Sequence, residues 1–160
     1  MSVKVGDKVP SAKMKQMSAE GPKDVSTDDF FKGKKVALFA VPGAFTPTCS
    51  AKHLPGFVEK AAELKKKGID TIACVSVNDA FVMDAWGKAQ NVGDKVVMLG
   101  DGNGEFTRAM GLELDGTPNG LGKRSQRYAM VVDNGVIKQL FVEQPRAFEV
   151  SSADHMLKNL

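Results

Sequence analysis

Two runs of apolar residues stand out in the first half of the chain. Residues 36–41 (VALFAV) and 69–77 (IDTIACVSV) are rich in aliphatic and β-branched side chains and have the length of buried strands. Between them, Phe57, Ala61 and Leu64 recur at helical spacing. The order strand, helix, strand predicts two parallel strands joined by a right-handed crossover.

A β-hairpin is predicted near the end of the chain. Residues 128–132 and 136–142 form two apolar runs, and the pair Asn134-Gly135 between them suits the positive φ angles of a tight turn. Caps, glycines and prolines indicate the remaining elements. These are a helix at 27–31 capped by Ser26, a helix from Asp79 through Trp86, a strand at 96–99, a turn at 101–104 with a helix to Met110, a loop at 115–122, and a final helix capped by Ser152.

The pattern predicts an α/β protein with a mixed central sheet flanked by helices. The chain has 160 residues, of which 42% are hydrophobic and 26% charged, as is typical of a soluble globular domain. We therefore expect a single domain over residues 1–160.

No apolar run approaches the roughly 20 residues that a membrane-spanning helix requires. The N-terminal segment mixes Lys, Gly, Pro and Met and lacks the apolar core of a signal peptide. We expect no membrane association and a cytoplasmic protein, or one of an organelle matrix if a transit peptide has been removed.

Charge and motif content argue against several functions. The net charge is only +3, and the basic residues are not interleaved with aromatic ones, so nucleic-acid binding is not expected. No spacing of Cys and His fits zinc, and no P-loop or dinucleotide fingerprint occurs. We expect neither a metal nor a cofactor. Two cysteines in this length do not suggest a disulfide-stabilised scaffold.

Cys49 follows the first apolar run at the predicted start of a helix. Thr46 has the chemistry of an N-cap, and Pro47 then takes the first helical position, where a missing N–H costs nothing. Free N–H groups and the helix dipole at this end favour a thiolate, which is the nucleophilic form of cysteine. The alternative is a small buried cysteine behind a capped helix.

The spacing Pro42-x-x-x-Thr46-x-x-Cys49 resembles the active-site motif of the peroxiredoxins. The full string PGAFTPTCS is similar to that of the type II subgroup, also called type V or atypical, whose members have a thioredoxin fold. The resemblance extends over nearly the whole chain. Three further stretches resemble the same subgroup, at residues 76–86 (SVNDAFVMDAW), 127–135 (RYAMVVDNG) and 151–154 (SSAD).

The resemblance implies a thioredoxin-like fold with an inserted α-β unit, and a thiol-dependent peroxidase with a role in antioxidant defence and redox homeostasis. The thiolate of Cys49 would reduce hydrogen peroxide or an organic hydroperoxide and become a sulfenic acid. Ionisation alone raises the thiolate population about thirtyfold, near 2 kcal/mol. Enzymes accelerate reactions by at least about a millionfold, roughly 8 kcal/mol, so donors to the transition state must supply most of the effect.

Arg127 is the predicted donor, because its guanidinium is always charged and forks several N–H groups toward one point. The resemblance favours it over Arg124; an Arg127 that merely caps the sheet edge is the alternative. Thr46 would orient the peroxide, and Pro42 would shield the thiolate. The backbone N–H groups of Gly43 and of the cysteine itself are further candidate donors.

Cys74 lies inside the second apolar run, which indicates a buried core residue. Its alternative role is that of a resolving thiol for Cys49, which would need a local rearrangement because a disulfide requires Cα atoms within about 7 Å. Some similar proteins carry a further cysteine near the C-terminus, where Ser151 and Ser152 stand here. We therefore expect an external reductant, either glutathione with glutaredoxin or thioredoxin.

His53 follows Cys49 by four residues, and we expect it to pack or hydrogen-bond locally rather than to act in catalysis. The aromatic residues Phe45, Phe81 and Trp86 belong either to the core or to a dimer contact, and a homodimer is predicted.

Two other classes of protein are alternatives to a peroxidase. A thioredoxin-like redox sensor and a disulfide oxidoreductase would both lack peroxidase turnover. Thr46 stands where a Cys-x-x-Cys partner would be, which argues against the oxidoreductase.

Overall fold

A seven-stranded sheet forms the centre of the computed structural model, which describes residues 2–160. The described strands are β1 (Lys13–Ser18), β2 (Gly21–Ser26), β3 (Lys35–Ala40), β4 (Thr71–Ser76), β5 (Val97–Gly100), β6 (Glu113–Asp115), β7 (Lys123–Ser125), β8 (Tyr128–Asp133) and β9 (Val136–Val142). The described α-helices are α1 (Thr27–Phe30), α2 (Leu54–Glu59), α3 (Ala61–Lys66), α4 (Ala80–Ala89), α5 (Glu105–Met110) and α6 (Ala153–Lys158).

The strand order in the sheet is β2-β1-β5-β4-β3-β8-β9, and β6 and β7 form a separate pair. Strands β3, β4 and β5 run parallel, whereas β3 and β8, β8 and β9, and β1 with both its neighbours are antiparallel. The sheet is therefore mixed, and the predicted parallel pair and C-terminal hairpin are both confirmed. The class of the fold, a thioredoxin-like α/β sheet flanked by helices, agrees with the sequence prediction.

The central strands are buried on both faces. Successive side chains of a strand point to opposite sides, so Phe39 packs in one core cluster with Phe57 and Trp86. Its neighbour Leu38 packs in the second cluster with Phe106. A strand covered on both sides reads as a continuous apolar run, which is why residues 36–41 stood out in the sequence.

The structure differs from the sequence predictions in three details of the fold. The hairpin β1–β2 was not predicted, because β2 lies at the sheet edge and most of its side chains are at least partly exposed. The short strands β6 and β7 flank the predicted loop and were also missed. Ser26 makes no side-chain hydrogen bond to α1, so its predicted capping role is wrong. The capping role of Ser152 is confirmed by a bond from the N–H of His155. Asp79, predicted as the first residue of its helix, is the N-cap and accepts from the N–H of Val82.

The helix that carries Cys49 begins at Pro47, as predicted, but its next turn is wider than a regular α-helical turn. A π-helical turn spans Cys49–His53, and Leu54 donates its N–H to the carbonyl of Cys49. Pro55 has no N–H to donate, so the regular i to i−4 ladder is interrupted at this point. The helix is thus interrupted before Pro55 by a wide turn, and a second break at Lys60 separates α2 from α3.

Candidate active site

Cys49 and Arg127 meet at one end of the central strands of the sheet. Strand β3 ends at Ala40, which pairs with Tyr128, the first residue of the antiparallel strand β8. Arg127 directly precedes β8. It therefore lies at the same end of the sheet as the segment that connects β3 to Cys49. The Nη2 atom of Arg127 donates a hydrogen bond to Sγ of Cys49 at 3.1 Å.

A permanent positive charge lies against the sulfur of Cys49. Cys49 is fully buried, and a buried charge must be paired to be stable. Arg127 supplies that pairing, because a guanidinium stays protonated in proteins and donates a charge-assisted hydrogen bond. The sulfur and the guanidinium are therefore paired away from bulk water.

His53 holds the other side of the guanidinium. Its Nδ1 atom lies 2.8 Å from Nη1 of Arg127, and its Nε2 atom lies 2.9 Å from the carbonyl oxygen of Ser151. Burial, reinforced by the charge of Arg127 and opposed by the bond to Ser151, lowers the pKa of His53 to about 3. His53 is thus neutral and accepts from Arg127. The expected local hydrogen-bonding role is found, but the partner is the arginine that contacts the sulfur.

Thr46 and Gly43 form the turn before the cysteine. Thr46 precedes the first helical residue, but its hydroxyl donates to the Gly43 carbonyl at 2.6 Å rather than accepting from an N–H of the helix. The predicted N-cap bond of Thr46 is therefore replaced by a bond within the turn. Because its proton is used there, the hydroxyl oxygen is left to accept a hydrogen bond from a ligand.

Arg124 stabilises the same turn from outside. Its Nη1 atom donates to the Pro42 carbonyl at 3.1 Å and its Nε atom to the Leu121 carbonyl at 3.0 Å. A Cβ atom at Gly43 would lie 2.8 Å from Nη1 of Arg124 and 3.0 Å from the methyl group of Thr46, so a larger residue here would displace the end of the Arg124 side chain. Arg124 thus bonds to carbonyl groups of the backbone, whereas Arg127 bonds to the sulfur.

Cys74 is buried in the middle of β4, where it pairs with Phe39 of β3. Burial raises the pKa of the Cys74 thiol well above its usual value, Cys49 raises it further, and Arg127 has a smaller opposite effect. Both cysteines are free thiols. Cys74 therefore shares the core cluster of Cys49 but is held as a protonated, inaccessible thiol.

Arg127 lines a cleft of about 460 Å³, whereas Cys49, Thr46 and His53 do not. Its lining combines apolar and polar side chains, which suits a small molecule with a polar end. The lining includes Pro42, Thr48, Leu114, Leu121, Arg127 and Ala147.

The three aromatic residues considered for a dimer contact separate into two groups. Phe45 and Phe81 are exposed, at 56% and 64% of their surface, whereas Trp86 is fully buried. The indole N–H of Trp86 donates to Oγ of Ser50 at 3.0 Å, so α4 packs directly on the π-helical turn. Phe45 also has a positive φ of 63°, which is unusual for a bulky residue.

The sequence did not indicate the roles of Glu143 and Ser151 in the hydrogen-bond network around His53. Glu143 is a buried carboxylate that contacts Ser151, and Ser151 in turn contacts His53. These residues are far apart in the sequence, and nothing in their spacing indicates that they meet.

Residues 2–160 contain no group of three or more His, Cys, Asp or Glu side chains that could hold a metal ion. No helix in the same range is long and apolar enough to span a bilayer.

A buried cysteine bonded to a guanidinium, at the end of the central strands of a thioredoxin-like sheet, defines a thiol-based redox enzyme. The Redoxin family model matches residues 4–157, and the chain belongs to this family. Within it the chain is a thioredoxin-fold peroxiredoxin, an antioxidant thiol peroxidase, as the relatives below establish.

The chain is 56% identical to Peroxiredoxin-2E, chloroplastic, of Arabidopsis thaliana, over 99% of this chain and 70% of that protein. It is 50% identical to Peroxiredoxin-2B of the same plant, over 99% and 98%. Reduced Prx3 of Vibrio vulnificus, solved in complex with hydrogen peroxide, superposes with a TM-score of 0.95 at 54% identity, over 98% of both chains. The alternatives of a redox sensor or disulfide oxidoreductase without turnover are not the class of these relatives.

Proposed function

We propose that Cys49 is the peroxidatic cysteine and that it reduces hydrogen peroxide and organic hydroperoxides. Its thiolate attacks one peroxide oxygen, and an S–O bond forms as the O–O bond breaks. The sulfur loses two electrons and becomes a sulfenic acid, and the departing oxygen takes up a proton and leaves as water or alcohol. The observation that carries this proposal is the 3.1 Å hydrogen bond between Arg127 Nη2 and Cys49 Sγ.

The surrounding residues act on the two oxygens of the peroxide. Arg127 stabilises the thiolate and the negative charge that develops as the O–O bond breaks. Thr46 accepts a hydrogen bond from the peroxide, since its own proton is given to Gly43. Pro42 shields the sulfur at the rim of the cleft, and the N–H groups of Gly43 and Cys49 add donors.

The protein belongs to the type II (type V) subgroup of peroxiredoxins, and the PGAFTPTCS string supports this assignment. An organic hydroperoxide fits the proposal because the cleft offers apolar side chains beside Arg127. A tail that packs against Leu114 and Leu121 would bring the peroxide oxygens toward the sulfur.

An external thiol system, glutathione with glutaredoxin or thioredoxin, reduces the sulfenic acid of Cys49. The burial of Cys74 in mid-strand supports this choice over an internal disulfide. A cycle that depends on such thiols belongs in a reducing compartment, the cytoplasm or an organelle matrix. No nucleic acid, membrane or metal takes part in the proposed cycle.

The protein acts as a homodimer of single-domain subunits that comprise residues 1–160. The exposed rings of Phe45 and Phe81 support the dimer, because large apolar side chains at a surface favour an interface. The two core clusters on opposite faces of one sheet support a single domain.

The test measures peroxide consumption by the wild type, Cys49→Ser and Cys74→Ser, each with glutathione and glutaredoxin or with thioredoxin. We expect Cys49→Ser to abolish turnover with either reductant. Consumption that persists in Cys49→Ser would overturn the proposal. Oxidation of Cys49 in the wild type without turnover under any reductant would indicate a redox sensor instead.

A further inference from the structure

A buried carboxylate lies outside the group of residues that contact the sulfur. One oxygen of Glu143, Oε2, accepts hydrogen bonds from the backbone N–H groups of Glu149, Val150 and Ser151 at 2.8, 2.9 and 2.8 Å. The same oxygen accepts from the Ser151 hydroxyl at 2.7 Å. Burial opposes ionisation, but these bonds outweigh it and hold the pKa of Glu143 below its ordinary value. Glu143 is therefore a carboxylate near neutral pH and fixes the turn at 149–151.

That turn is connected to the sulfur by three consecutive hydrogen bonds. The carbonyl of Ser151 bonds to Nε2 of His53 at 2.9 Å, Nδ1 of His53 bonds to Nη1 of Arg127 at 2.8 Å, and Nη2 of Arg127 bonds to Sγ of Cys49 at 3.1 Å. Glu143 also contacts the arginine directly through the backbone, because its N–H donates to the Arg127 carbonyl at 3.0 Å.

The direction of each bond is determined by chemistry. A carbonyl oxygen only accepts, so the Nε2 atom of His53 must carry the ring proton. A guanidinium only donates, so the Nδ1 atom must be the acceptor. The Ser151 carbonyl therefore selects the single neutral tautomer of His53 that can hold Arg127. A neutral acceptor orients the guanidinium without neutralising the charge that the sulfur requires.

We propose that Glu143 is a positioning residue for the peroxide reaction, which acts through Ser151 and His53 to aim the guanidinium of Arg127 at Cys49. The inference rests on the proposed function of Cys49. The alternative is that Glu143 only stabilises the turn at 149–151 and has no effect on the reactivity of the sulfur.

The decisive measurements are made on the reduced full-length protein in a single turnover. They are the second-order rate constant for hydrogen peroxide and the pH profile of Cys49 alkylation by iodoacetamide. Glu143→Ala should lower the rate constant about ten- to a hundred-fold, as a displaced catalytic group does. It should also move the alkylation profile to higher pH, because Arg127 no longer holds the thiolate. Glu143→Gln, which keeps the shape and one acceptor, should lie between Glu143→Ala and the wild type.

Thr27→Val is the matched control for the loss of a buried side chain that hydrogen-bonds to the backbone. The Thr27 hydroxyl is buried, accepts from the N–H of Ala12 and donates to the Pro10 carbonyl, so it fixes a different loop. This variant should lose stability in urea unfolding but keep the wild-type rate constant and alkylation profile. Glu143 variants that behave in the same way would reduce Glu143 to a stabilising role and overturn the inference.

A double-mutant cycle tests the route through His53. The side chain of His53→Asn can still accept from Arg127 near the position of Nδ1, but it is too short to bond to Ser151. In this background Glu143→Gln should change the rate constant by less than about twofold, because coupled residues are not additive. Full additivity would show that Glu143 does not act through His53. Loss of all reaction in Cys49→Ser, with unchanged rates in the Glu143 variants, would leave the proposed function intact and refute only this inference.

Discussion

His53 holds Arg127 through an uncharged nitrogen, 2.8 Å from Nη1 of the guanidinium. The other arm of the same guanidinium contacts Cys49. The two contacts require a planar group with two donors in a fixed relative orientation, which lysine lacks. The geometry of the site therefore depends on arginine as well as on positive charge.

Arg127→Lys should lower the rate constant for hydrogen peroxide about a hundredfold, because one ammonium group cannot bond to His53 and Cys49 in the geometry that two arms provide. Stopped-flow measurement on the reduced protein gives the rate constant. Arg124→Lys is the control, because Arg124 hydrogen-bonds to the carbonyls of Pro42 and Leu121 and not to the sulfur. Equal losses in both variants would contradict the assigned role of Arg127.

Thr46→Val should lower the rate constant for hydrogen peroxide by about a hundredfold, because it removes the bond to Gly43 and the oxygen proposed to accept from the peroxide. Thr46→Ser keeps the hydroxyl and should lose much less. Comparison of the two variants in the same single-turnover assay separates the hydroxyl from the methyl group. A Thr46→Ser variant as slow as Thr46→Val would argue that shape, rather than the hydroxyl, matters.

Cys74→Ser should retain most of the turnover with glutathione and glutaredoxin, because Cys74 is buried in β4 and its thiol stays protonated. The variant should be less stable, since it places a hydroxyl among apolar neighbours. Circular dichroism checks the fold and coupled assays measure turnover. Complete loss of turnover in a folded Cys74→Ser protein would identify Cys74 as a resolving thiol.

The neutral state of His53 makes stability depend on pH. Its pKa falls from 6.5 in the unfolded chain to about 3 in the folded protein, mainly through burial. The unfolded state binds more protons in this range, so the contribution of His53 is full above about pH 6.5 and is lost as the pH falls toward 3. The limiting slope is about 1.4 kcal/mol per pH unit.

Urea unfolding of the wild type and His53→Asn between about pH 7 and pH 5 measures this contribution. The free energy of unfolding of the wild type should fall more steeply over that interval, because asparagine does not titrate. Parallel curves for the two proteins would mean that His53 does not stay neutral in the folded state.

Phe81→Glu should weaken the proposed homodimer, because it replaces a large exposed apolar side chain with a charge. Sedimentation velocity over a range of concentrations measures the change. Phe81 lies on the exposed side of α4, so the fold should be retained. A wild type that remains monomeric at the highest concentration would refute the dimer itself.

The sequence predicted the parts of the molecule in which local chemistry and the final environment agree. Strands β3 and β4 are buried on both faces and read as apolar runs, and Asp79 and Ser152 cap their helices as their side chains allow. The link between Arg127 and Cys49 came from the family resemblance, because no local pattern joins residues so far apart.

The parts that could not be predicted depend on tertiary contacts. The π-helical turn arises because Pro55 lacks an N–H while the side chains before it are held in the core. The bond between Glu143 and Ser151 exists because β9 and the segment before α6 return to the same edge of the sheet. A carboxylate in a polar stretch of sequence carries no sign of such burial.

The bond between Trp86 and Ser50 has a practical consequence. The chain contains a single tryptophan, and its indole contacts the residue that follows the reactive sulfur. Any shift of the π-helical turn changes the surroundings of that indole. The protein thus carries its own fluorescent reporter, and its redox cycle can be followed from intrinsic emission without an added dye.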